Sequence, residues 1–119
     1  MVPSDRTLKQ LEKRLFVTNR NKRVFVSTSR EKAGGMFPYR IPHKSYEVIV
    51  LLAWEGNDEA KLKAFVVPQK VYRSQWSQIP KDEKELDLVL TREGGNYFLN
   101  IAGSHIDVSP FEGDYQPVA

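Results

Sequence analysis

Residues 46–54, YEVIVLLAW, place apolar side chains on both faces of an extended chain. Tyr46, Val48, Val50, Leu52 and Trp54 fall on one side; Ile49, Leu51 and Ala53 fall on the other. A strand apolar on both sides is a central one, covered above and below. After a charged hairpin loop, EGNDEAKL, the run KAFVVP reads as its antiparallel partner, ended by Pro68. Upstream, RVFVST is β-branched and aromatic enough for a strand, and FPYRI follows a polar loop that ends in Gly34 and Gly35.

Two stretches have helical spacing. In residues 4–17, Leu8, Leu11 and Leu15 form one stripe; Ser4 or Asp5 caps the start, and Asp5 and Lys9 pair one turn apart. A shorter helix over QKVYRSQWSQI would pack through Val71, Tyr72 and Trp76. Beyond the solvated linker PKDEKE, LDLVLT points Leu86, Leu88 and Leu90 inward, GGN turns, NYFLNIAG returns, and HIDVSPF adds a short strand. The expected class is therefore α+β: an N-terminal helix packed on a mostly antiparallel or mixed sheet of five to seven strands. One small domain spans residues 1–119, with 112–119 as a tail or linker.

Composition changes this picture in a few places. With no cysteine, the chain has no disulfide, thiolate zinc site or cysteine nucleophile. His43 and His105 lack metal-ligand spacing, so no cofactor is expected. No apolar run reaches the ~20 residues of a membrane span, and MVPSDRTLKQ has no signal core; the expectation is a cytoplasmic protein with no membrane partner. Charge is unevenly placed. Residues 1–44 hold eleven Lys or Arg against three Asp or Glu, a net +8, whereas residues 45–119 hold seven against twelve, a net −5. Such a split predicts one basic face that attracts polyanions, unless the two halves neutralise each other across the fold.

Motifs for other chemistry are missing. No serine sits in a GxSxG elbow, Ser104 and His105 point to opposite faces of a strand, and Gly34-Gly35 is followed by Met36 rather than by a phosphate-binding GK[ST]. Two ExK matches, Glu59-Ala60-Lys61 and Glu83-Lys84-Glu85, fall in a hairpin tip and a charged linker, where they read as solvated loop charge.

The succession RVFVSTSREKAGGMFPYRI, SYEVIVLLAW and KAFVVP resembles the later half of restriction-endonuclease-like domains of the PD-(D/E)xK type, over about residues 23–68. The resemblance implies a nuclease-like scaffold used for DNA contact within a restriction or phage-defence system, or a fragment lacking its catalytic half. This sequence departs from the family where the acidic residue and lysine of the catalytic motif would sit; Val24 to Ser29 stand there instead, and no upstream strand supplies the first Asp. Catalytic and metal residues are accordingly expected to be absent.

The basic stretch at residues 20–44 is the expected nucleic-acid contact. Arg20, Lys22, Arg23, Arg30, Lys32, Arg40 and Lys44 would bind phosphates, with Ser29 beside them. Gly34 and Gly35 would let the backbone approach, and Phe37 and Tyr39 would stack on an unpaired base unless they serve the core. Trp54 and Trp76 read as core and helix-docking residues, with a base pocket as the alternative. The leading expectation is a double-stranded DNA-binding module, non-catalytic alone and attached to an effector or nuclease domain or subunit. Single-stranded DNA and RNA stay open. Two rivals follow: a Mg²⁺-dependent nuclease using Glu31, Glu47 or Asp58, and a protein-interaction module that adds the late strands, Leu86 to Val108, to a partner's sheet.

Overall fold

A computed structural model describes residues 23–55 and 62–113. The elements are β1 (Val24–Arg30), β2 (Met36–Pro42), β3 (Val48–Trp54), β4 (Leu62–Pro68), α1 (Gln69–Ser77), β5 (Glu85–Glu93), β6 (Asn96–Ile101), β7 (Ser104–Asp107) and a 3-10 turn, Ser109–Phe111. They make two sheets. One has the order β1-β3-β4, with β1 parallel to β3 and β4 antiparallel to it; the other is wholly antiparallel, in the order β2-β5-β6-β7.

This corrects the expected fold class. The molecule is mostly sheet, the strands divide between two sheets, and the α-helix among the described residues is α1, late in the chain. The helix expected over residues 4–17 lies outside the described residues. Alternation of side chains identifies strands but does not say which sheet receives each one. Here the chain leaves the first sheet at β2, re-enters at β3 and leaves again at β5.

The core lies between the sheets. Phe37, Tyr39 and Ile41 of β2 and Leu86, Leu88 and Leu90 of β5 meet Ile49, Leu51 and Ala53 of β3 and Phe65 and Val67 of β4. Every residue of β3 is buried, as its doubly apolar pattern requires. On the other face of that strand, Val48, Val50 and Leu52 form a second cluster with Ala64 and Val66. The Tyr39 hydroxyl crosses between the sheets to donate to the Leu52 carbonyl at 2.8 Å. Tyr72 docks α1 by donating to the Tyr46 carbonyl at 2.7 Å.

Burial raises the pKa of both hydroxyls above the ordinary tyrosine value. Above pH ~10 the unfolded chain releases these protons while the folded one keeps them, so stability falls as pH rises. Stability should be level up to that point and then decline, Tyr39 alone adding about 1.4 kcal/mol per pH unit. Urea unfolding from pH 8 to 11.5 measures this, and Tyr39→Phe should flatten the decline.

Two edges of the sheets are closed by local features. Gly35 O accepts from Arg92 N and Met36 O from Lys32 N, so the odd residues of β2 bond to β5 and the even ones face the open side. Pro38 and Pro42 are even, and their missing N–H groups blunt that edge. Glu112 and Gly113, expected in a tail, instead close on β4: Glu112 bridges to Phe65, and Gly113 N donates to Ala64 O at 2.8 Å.

Candidate nucleic-acid interface

The basic stretch read from the sequence does not stay together. Arg20 and Lys22 lie outside the described residues. Arg23 immediately precedes β1 and Arg30 closes it, so the extended strand holds them about 23 Å apart. Arg30 stands over the Trp54 ring, its guanidinium carbon 5.6 Å from the centroid. Lys32 is exposed in the β1–β2 turn, at the same end as Arg30, and Ser29 is buried. Arg40, on the outer face of the second sheet, is held by Asp87 at 3.1 Å and Glu85 at 3.6 Å.

Of the two readings open for Phe37 and Tyr39, burial favours the core over base stacking. Phe37 is 0% and Tyr39 4% exposed, because the period-two alternation of β2 turns both toward the core. Gly35 is also structural in its setting. Its φ is +70°, and an added Cβ would stand 3.3 Å from the Arg92 carbonyl oxygen. Gly34 has φ +81° with open space around it. Gly34→Ala should therefore show only the left-handed cost of roughly 1–2 kcal/mol, and Gly35→Ala should cost more. Chemical denaturation of the two variants compares them.

Cations collect at the opposite end from Lys32. That end is made of the start of β1, the loop from His43 to Glu47, α1 and the loop from Pro80 to Lys84. Backbone bonds tie it together: Glu47 N to Arg23 O, Gln69 N to Glu47 O, and His43 N to Lys84 O, all at 2.8 Å. It carries Arg23, Lys44, Lys70, Arg73, Lys81 and Lys84, all exposed, and none makes an ion pair among the described residues. Glu47, Asp82 and Glu83 share the region, so the balance is positive but moderate. Sequence reading reached only Arg23 and Lys44. Lys70 and Arg73 were one turn apart on a helix face, and Lys81 and Lys84 stood in a linker; only the folding of that linker beside His43 joins them.

An open cavity of about 400 Å³ lies within this end, walled by Trp76 and Ile79 and rimmed by His43, Lys44, Ser45 and Lys81. The Trp76 indole N–H donates to the Lys44 carbonyl at 3.1 Å. His43, Tyr46 and Tyr72 pack around the same indole with centroids 5.4, 6.1 and 5.2 Å away.

Of the carboxylates considered for catalysis, Glu31 is engaged otherwise. Glu31 and Glu55 follow the adjoining ends of parallel β1 and β3. Arg92 spans them, with a two-pronged contact to Glu31 at 3.1 and 2.7 Å and a third to Glu55 at 3.4 Å. Hydrogen bonding to Glu31 raises the Arg92 pKa further, so the guanidinium stays charged. Lys63 continues the chain of charges to Glu55 at 3.5 Å and Glu112 at 3.7 Å. Glu47 lies at the other end of β3, and Asp58 is outside the described residues. Among the described residues, no three of His, Cys, Asp and Glu gather where a metal ion could be held.

The outer face of the second sheet is acidic. Glu85, Asp87, Glu93 and Asp107 are exposed there, with Arg40 already paired. His105 stacks on Phe98 at 4.2 Å and bonds to Glu93 at 2.7 Å and Asn100 at 2.6 Å. A polyanion would be repelled by this face and drawn to the end described above.

Comparison with known proteins returns no matching family model, no matching curated protein and no matching solved structure. Among the described residues, no helix is long and apolar enough to cross a membrane.

Proposed function

We propose that this chain is a nucleic-acid-binding module, non-catalytic by itself, that holds duplex DNA by its phosphates at the end bearing Arg23, Lys44, Lys70, Arg73, Lys81 and Lys84. The observation that carries the reading is the division of the cations. Arg40, Lys63 and Arg92 are tied to carboxylates elsewhere, whereas the six at this end have no ion pair among the described residues. The basic N-terminal sequence, including Arg20 and Lys22, joins the fold at Arg23. A role beside an effector domain of a restriction or defence system is what the resemblance over residues 23–68 implies.

Nuclease chemistry is the weaker reading, because Arg92 already neutralises the carboxylates at the adjoining strand ends. A protein-interaction role has one observation in its favour: β7, the outermost strand of its sheet, pairs only with β6 among the described residues.

The test is a fluorescence-anisotropy titration with duplex DNA, single-stranded DNA and duplex RNA at 50 and 200 mM salt. Duplex DNA should bind most tightly, with log K falling by ~0.9 per log salt for each phosphate neutralised. Flat curves for all three nucleic acids would overturn the proposal and turn attention to the β7 edge.

A further inference from the structure

Resting on that reading, we infer that the cavity beside Trp76 is a subsite for one unstacked nucleotide of the bound strand. Its size, about 400 Å³, lies within the ~300–1,000 Å³ of single-ligand pockets and is far too small for a duplex. The lining has two chemical halves. Trp76 and Ile79 offer an apolar and aromatic wall for a planar ring. Lys44, Lys81 and the Ser45 hydroxyl offer charge and donors for a phosphate.

The site is also built in advance. The bond from Trp76 to the Lys44 carbonyl and the three surrounding rings hold the indole before any ligand arrives. His43 adds a polar element. Its Nδ1 lies 2.9 Å from the Glu83 carbonyl, which can only accept, so Nδ1 carries the proton. Ring-stacking and phosphate chemistry thus converge on a nucleotide rather than on a free anion or an apolar ligand.

The protein supplies its own reporter. Of its two tryptophans, Trp54 is buried in β3 and Trp76 lines the cavity. Adenosine 5′-monophosphate should quench the emission saturably, at least tenfold more tightly than adenosine or inorganic phosphate. Lys44→Ala with Lys81→Ala should abolish saturation, and Trp76→Phe should remove the signal while leaving Trp54 emission. A duplex with one extrahelical adenosine should bind about tenfold more tightly than its fully paired counterpart, an advantage lost in the double lysine variant.

Salt-sensitive duplex binding without a response to the mononucleotide, and without preference for the extrahelical base, would overturn the subsite and leave the module's proposed function intact. An equal response to inorganic phosphate would reduce the cavity to an anion site and overturn the inference. A mononucleotide response with no duplex binding would refute the link to a bound strand, and no response to any probe would refute both readings.

Discussion

Replacing Lys44, Lys81 and Lys84 together by alanine should weaken duplex DNA binding on the order of 100-fold, which corresponds to about 1 kcal/mol for each lost charged phosphate contact. The salt slope should fall by about 2.7, three charges at ~0.9 each. The three side chains are exposed and make no ion pair among the described residues, so stability should change by less than about 0.5 kcal/mol per site. Binding and folding are thereby separable. Lys32→Ala and Arg40→Ala serve as controls: the first removes a cation from the far end, the second one already held by Asp87 and Glu85. Both should keep the parent affinity and slope. Parent-like binding by the triple variant, with loss in either control, would return the contact surface to the β1–β2 turn or the outer sheet face.

Phe37→Ala should destabilise the domain by about 3–5 kcal/mol, the range for a large buried aromatic reduced to alanine. The ring is fully buried, 6.4 Å from Tyr97 between centroids, and sits among the inward residues of β2 and β5. Removing it opens a cavity where both sheets meet. Urea denaturation should show an earlier midpoint with little change in slope, and the variant, measured where it remains folded, should bind DNA as before. Loss of binding at unchanged stability would restore Phe37 as a ligand-contacting residue.

The contrast between Phe37 and Lys44 shows what was legible in the sequence. Strand identity was legible wherever burial is written in alternation: β3 is apolar on both faces and is buried throughout, and KAFVVP is its antiparallel partner. The inward direction of Leu86, Leu88 and Leu90 was legible for the same reason. Assignment of strands to sheets was not, since the link from Pro42 to Glu47 carries no mark of crossing from one layer to the other. The aromatic pair in MFPYRIP was ambiguous for a related reason. Phe37 and Tyr39 share a face, but only tertiary structure says that this face is the covered one. The contact surface suffered most. A run of charges along the chain is a single patch only if the chain stays local, and β1 carries Arg23 and Arg30 to opposite ends. The cations that do gather come from four separate segments, each unremarkable alone.

The alternation of the chain between the two sheets bears on how the domain must form. Val24 pairs with Val48 in one layer while Met36, between them in sequence, pairs with Thr91 in the other. The first layer must close β1 on β3 across the excursion of β2, and the second must join β2 to β5 across β3, β4 and α1, so pairings distant in sequence have to close before either is secure. Such high contact order slows folding and makes it cooperative. The basic end is assembled from the start of β1, the 43–47 loop, α1 and the 80–84 loop, segments drawn from across this interleaved path. Its charges therefore come together only when the whole domain does, and a half-folded or truncated chain would carry the same lysines without the surface.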